Sequence, residues 1–182
     1  MQRRNEAASA ISETAYEHER LQNLHPSDWH NPQPAVRYNL VVIGAGPAGL
    51  AAARGAAELG AKVALIERDL FGGASLNVGS VPSKALIRTS RLYAEMRQAK
   101  LYGATLPTGI GLDFPTVMER MRRIRVRISR VDSIRQLSAA GVDVFFGEAR
   151  FAGTDAVAVA DVTLRFKKAL IATGSRATTH SI

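Results

Sequence analysis

The chain has no cysteine in its 182 residues, which excludes disulfides, thiolate zinc sites and a cysteine nucleophile. Aromatic residues make up only 6%, with no aromatic-interleaved basic pattern and no zinc-finger spacing, so the net charge of +8 does not by itself point to nucleic acid. No apolar run approaches the ~20 residues of a membrane helix, and the N-terminus lacks the apolar core of a signal sequence. A cytoplasmic protein with neither a membrane nor a nucleic-acid partner is the expectation. Apolar content of 46% and charged content of 22% are those of an ordinary globular domain. The length suits one core and an arm, and is too short for two dinucleotide domains.

What is present is organised around Tyr38 to Glu67, YNLVVIGAGPAGLAAARGAAELGAKVALIE. Leu40 to Ile43 is a continuous apolar run, as in a parallel strand buried on both faces. Gly44, Gly46 and Gly49 follow: the first for a tight turn, the second for close approach of main chain to a pyrophosphate, the third for packing of helix on strand. Pro47 fits the first helical turn, and the helix is expected from about Pro47 to Leu59, ending at Gly60 as a left-handed cap. Lys62 to Ile66 reads as the second strand. Glu67 stands at its end, about 20 positions after the first glycine, where an acid accepts hydrogen bonds from a ribose and repels a 2′-phosphate. The amides of Gly46, Pro47-Ala48 and Gly49 and the helix dipole would face the pyrophosphate.

Residues 1–37 read as an arm. Ala7, Ala8, Ile11, Ala15 and Leu21 suggest a short, mostly solvated helix, and Pro26, Pro32 and Pro34 then favour an extended linker that Trp29 anchors. His18, His25 and His30 fit no metal-ligand spacing, so no metal is expected. Residues 38–182 form the domain proper.

After Glu67 comes GGASLNVGSVPSKALI, with a helical pattern from about Leu76 to Gln98. This stretch resembles the GG-x-C-L-N-x-G-C-[VI]-P-S-K segment of the pyridine nucleotide-disulfide oxidoreductases. Ser75 and Ser80 occupy the positions of that family's redox cysteines, here inactive, because a serine hydroxyl forms no disulfide, is not appreciably ionised at neutral pH and is a poor ligand for soft metals. HPSDWHNPQP, DFPTVMERMRR and GVDVFFGEARF are most similar to the mercuric reductase-like branch. The resemblance implies that the glycine motif binds FAD, that Glu67, with Arg68 beside it, holds the adenosine ribose, and that Gly73 and Ala74 line the cofactor. It implies that Lys84 lies beside the flavin ring, and that Asn77 and Ser83 help to build the helix carrying the redox positions.

Val117, Met121, Ile124, Ile128, Val131, Ile134 and Leu137 recur three or four apart, predicting one long amphipathic helix or a pair; Arg120, Arg122, Arg123, Arg125, Arg127 and Arg130 fill its other faces as a solvated surface. Val142 to Phe146 is a third strand. Phe151, 156–160 and 162–166 alternate as a small antiparallel meander, and Lys168 to Ala172 is expected as a last buried strand. By the resemblance, Gly147 and Ala149 meet the adenine, and Ala172, Thr173 and Gly174 are the family's ATG signature, passing close to the cofactor.

The expected fold is therefore α/β: a Rossmann-like FAD-binding domain with a parallel sheet, a small antiparallel meander and flanking helices, incomplete relative to the family. The expected function is the FAD-binding portion of a flavoprotein oxidoreductase resembling mercuric reductase, taking electrons from NAD(P)H and inactive alone. The family's NAD(P)H domain and the interface domain of its homodimers are not expected in this length, and His180 is not assigned the family's catalytic histidine role. A non-catalytic nucleotide-binding module, and less so a basic nucleic-acid-interacting protein, are the alternatives.

Overall fold

A computed structural model describes residues 15–176; Ala7, Ala8 and Ile11 of the arm and His180 lie outside them. Three apolar segments form the parallel half of the sheet: β1 (Tyr38–Ile43), β2 (Val63–Glu67) and β3 (Val142–Phe146). Their side chains are covered from both sides, with Val41, Val42, Val63, Ala64, Leu65, Val144 and Phe145 all at 0% exposure, which is why they read as unbroken apolar runs. The antiparallel part comprises β4 (Arg150–Phe151), β5 (Ala156–Val159) and the first half of β6 (Val162–Ile171), in the order β3-β2-β1-β6-β5-β4.

The strand β6 corrects one expectation. Lys168 to Ala172 is not a separate buried strand. It continues a ten-residue strand whose Val162–Arg165 pair antiparallel with β5, while 166–171 runs parallel to β1. Because β5 is registered only against the first half, the second half is bordered by β1 alone among the described residues, and Leu170 and Ile171 remain 37% and 65% exposed.

The helices are α1 (15–24), α2 (Pro47–Glu58), α3 (Gly73–Asn77), α4 (Ser80–Gln98), α5 (Phe114–Val131) and α6 (Ile134–Ala139). The helix expected from about Leu76 to Gln98 is thus two helices. Gly79 breaks it at φ −117° and ψ −117°, its main chain lying so close to α3 that a Cβ would stand 2.8 Å from the Ala74 carbonyl oxygen. The arginine-rich segment also divides, and each part begins at a side-chain cap: Asp113 accepts from Thr116 N–H and Ser133 from Gln136 N–H, both at 3.3 Å, satisfying amides that have no intrahelical acceptor.

Two cores flank the sheet. On one face Leu50 and Ala53 of α2, Leu76 of α3, and Ile134 and Leu137 of α6 pack on Val42, Leu65 and Val144. On the other, Val157, Val159, Leu164 and Phe166 of the meander cover Val41, Ala64, Ile66 and Phe145. The arm is fastened to the first face through its buried positions, Arg20 and Leu24, while the rest of α1 remains half-buried or exposed. Leu24 is fully buried and Trp29 packs against the same cluster. The Asn31 side chain bonds both the N–H and the carbonyl of Phe146, at 2.7 and 2.9 Å, and the His25 ring stacks on Phe146 at 3.9 Å. The linker expected to be extended turns first, at Ser27–Asp28, where Trp29 N–H donates to the Pro26 carbonyl at 3.1 Å; Pro32 and Pro34 lie in the irregular stretch that follows.

Helix α2 sits against β1 because position 49 carries no side chain. A Cβ there would stand 1.8 Å from the Gly44 carbonyl oxygen, a clash with main chain that no rotamer relieves. Gly49→Ala is therefore expected to destabilise by about 3 kcal/mol or more, the upper end for overpacking, whereas Gly55→Ala, in the same helix with nothing within 4 Å, should stabilise by about 0.5–1 kcal/mol. Urea unfolding of the two variants beside the parent chain checks the contrast; equal effects would exclude a specific contact at Gly49.

Candidate functional site

The carboxyl ends of the parallel strands are tied into one floor. Ala172 N–H donates to the Ile43 carbonyl and Gly44 N–H to that of Ile66, each at 2.8 Å, and Gly147 N–H donates to the Glu67 carbonyl at 2.9 Å. Gly44 has φ +104°, and a Cβ on it would lie 2.4 Å from the Ala172 carbonyl oxygen, so the turn after β1 and the chain leaving β6 are in main-chain contact. Gly72 N–H reaches the Ala45 carbonyl at 2.8 Å, which brings the start of α3 to the same place. Gly73 follows with its Cα facing that of Gly46.

The glycine loop is held from below by Glu67. One carboxylate oxygen accepts from Ala45 N–H at 2.7 Å, and the other from Arg68 N–H and Asp69 N–H, both at 2.9 Å. The acid is thus a main-chain staple as well as a candidate ribose acceptor; its spacing in the sequence revealed its position but not this tie, which depends on how two loops meet.

Above the loop there is room. The first amides of α2 have no intrahelical acceptor, and no side chain caps them. A Cβ on Gly46 would meet nothing nearer than the Gly73 Cα at 4.0 Å. Free N–H groups, a positive helix end and bare main chain suit a pyrophosphate, so these residues fit a dinucleotide such as FAD. Of the residues expected at the site, Gly44 to Gly49, Glu67, Arg68, Gly73, Ala172 and Thr173 gather at this floor, with Gly147 joined through Glu67. Ala149 packs instead on the meander-side core, and Lys84 is exposed on α4.

Ser75 lies within α3 and Ser80 opens α4. Between them Gly79 packs on α3, where a Cβ would be 3.5 Å from the Ser75 Cα, so the two positions adjoin across the helix break. Asn77 is the knot of this segment. Its side-chain amide donates to the Phe71 and Gly73 carbonyls, both at 2.9 Å, while its oxygen accepts from Arg20 of the arm. Arg125 of α5 donates to the Leu76 and Asn77 carbonyls at 3.3 and 2.9 Å, and Arg120 to the Ala85 carbonyl at 3.1 Å. These two arginines therefore support helices and do not belong to a solvated face, which a periodicity argument treats alike for every non-apolar position. The role of Arg20 at α3 carried no sequence signal, since Asn77 is 57 positions away.

The family model for pyridine nucleotide-disulphide oxidoreductases matches residues 38–182. The chain belongs to the pyridine nucleotide-disulphide oxidoreductase family. It is similar to the dihydrolipoyl dehydrogenase of Bacillus subtilis (39% identity; 78% of this chain and 30% of that protein) and to that of Staphylococcus aureus (36%; 78% and 31%). Among solved structures it is similar to the HOCl-induced flavoprotein disulfide reductase RclA of Escherichia coli, with 26% identity and a TM-score of 0.62 over 80% of this chain and 30% of that one. The chain thus spans under a third of these relatives' length. Proteins of this family are FAD-dependent, in keeping with the cradle above.

Removing the Glu67 staple leaves main-chain donors with no acceptor, at about 1–3 kcal/mol for each that stays buried. Glu67→Ala should therefore lose about 1–3 kcal/mol of stability as well as dinucleotide affinity, measured by denaturant unfolding without ligand; unchanged stability would exclude the staple.

Acid should loosen the arm. The hydrogen bond from Arg20 holds the Glu17 carboxyl below the ordinary glutamate value of 4.5; partial burial opposes this, and the charges of Arg20, Arg125 and Arg122 add to it. A depressed folded-state pKa means stability that is complete above the unfolded value and lost as pH falls through the folded one. The single tryptophan, Trp29, lies in the arm, so its fluorescence should change below about pH 4.5. That transition should weaken in Glu17→Gln, and an identical acid profile in the variant would rule Glu17 out.

Proposed function

We propose that this chain is the FAD-binding portion of a flavoprotein pyridine-nucleotide oxidoreductase and that, lacking the redox dithiol, it is inactive alone. The observation that carries the reading is the cradle formed where the uncapped start of α2, the bare main chain of Gly46 and Gly73, and the Gly44–Ala172 contact meet above the Glu67 staple. In this reading 38–182 is the cofactor-binding unit and 1–37 its arm. The amides of Ala48 and Gly49 face the pyrophosphate, Glu67 holds the adenosine ribose, Gly147 borders the adenine, and Thr173 and Gly174 line the chain's closest approach to the cofactor. Ser75, Ser80 and Lys84 lie along the flavin half. Bound FAD would supply a two-electron acceptor for hydride from NAD(P)H. The residues of this chain would bind and orient it.

The similarity of HPSDWHNPQP, DFPTVMERMRR and GVDVFFGEARF to the mercuric reductase-like branch supports assigning the chain to that branch, and a cytoplasmic location belongs to the same proposal. Chemistry at the two redox positions differs from that branch. Reduction of a disulfide or mercuric ion needs a thiolate as nucleophile and soft ligand, and hydroxyls at 75 and 80 offer neither. The absence of sulfur at both positions favours one second reading, a flavin- or nucleotide-binding module without catalysis.

The test is a titration of FAD into the chain, followed by an NADPH-oxidation assay with mercuric ion or a small disulfide. Saturable flavin binding with turnover no faster than free FAD is expected, and Ser75→Cys/Ser80→Cys should form an internal disulfide on oxidation. An absence of flavin binding, or turnover by the parent chain above the free-flavin control, would overturn the reading.

A further inference from the structure

The arm lies outside the family match, which begins at residue 38, yet it places a nearly buried charge against the segment that carries the redox positions. Arg20 is 5% exposed. A guanidinium withdrawn from water is costly unless paired and hydrogen-bonded, and Arg20 is both: it bonds Glu17 on its own helix and the Asn77 side chain of α3. Asn77 in turn holds the Phe71 and Gly73 carbonyls, so the bond from the arm is passed to both ends of α3. The Gly73 end touches the glycine loop at Gly46. A five-residue helix cannot hold its own shape in water, so its placement is set by such outside bonds, of which Arg20 supplies one and Arg125 others.

We propose that Arg20 is a positioning residue for the cofactor site: acting through Asn77, it sets the orientation of α3 and thereby how the flavin half of the dinucleotide is held, while the adenosine half, held by Glu67 and the strand ends, is independent of it. This rests on the FAD reading above. Not every arm contact shares the role. The Arg130–Glu19 pair joins α1 to α5 at an exposed position, 2.6 Å apart, and reaches no part of α3.

The experiment uses the full chain with Arg20→Met, Arg20→Lys and, as a control on arm docking, Arg130→Met. Hydrogen exchange at residues 74–80 is read without ligand, and FAD and AMP are titrated separately, AMP probing the adenosine half. Arg20→Met should speed exchange at 74–80 about tenfold and raise the FAD dissociation constant about tenfold, with AMP changed less than about twofold. Arg20→Lys should recover part of both effects, and Arg130→Met should show neither. Unchanged exchange in Arg20→Met, or equal weakening of FAD and AMP, would overturn the proposal. A parent chain that binds AMP but not FAD would instead sink the FAD reading, and the exchange data, which need no ligand, keep that failure distinct. Should Arg20→Met not fold, as judged by circular dichroism, the same comparison is made on Arg20→Gln.

Discussion

The carbonyl of Gly44 occupies the space where a side chain at position 49 would stand, and the site depends on that contact. It lets α2 begin directly above the end of β1, which points its first amides out of the sheet. It leaves Gly46 as the bare rim, and it lets the chain leaving β6 lie against Gly44. Glycine is needed at 44 for a second reason, since φ there is +104°, a region that side chains avoid. Neither residue touches a ligand through a side chain; they act by what they omit.

The parts of this arrangement that were legible in the sequence are those encoded locally. A strand buried on both faces announces itself by an apolar run, and Val142–Phe146 was readable to the residue. The glycine motif, the helix after it and the acid at the end of β2 lie within thirty positions, where spacing and turn chemistry suffice. The failures are long-range. Gly79 looks like a tolerable residue within a helical pattern until its main chain is seen against Ala74. The end of β6, Ala169 to Ile171, is as apolar as a buried strand, but its burial depends on which strands come alongside it, and that is a property of the sheet.

The arginine-rich helix shows the same limit from the polar side. Periodicity separates apolar from polar positions and stops there. Arg125 turns inward to the Leu76 and Asn77 carbonyls where α3 ends, and Arg120 to the Ala85 carbonyl within α4, whereas Arg127 is exposed. Arg20 is the extreme case: a residue in a polar-looking arm that is nearly buried and whose bond to α3 goes to Asn77, 57 positions away.

That arm also bears on the order in which the molecule can be assembled. Asn31 is completed by Phe146, 115 positions later in the chain. At a synthesis rate of about 5–20 residues per second, roughly 6–23 s separate the two on the ribosome, during which Leu24 and Trp29 have no finished core to enter. Docking of the arm is then a late event gated by β3, so a segment made early is secured late, and until β3 emerges its apolar residues are a handle that a chaperone can hold.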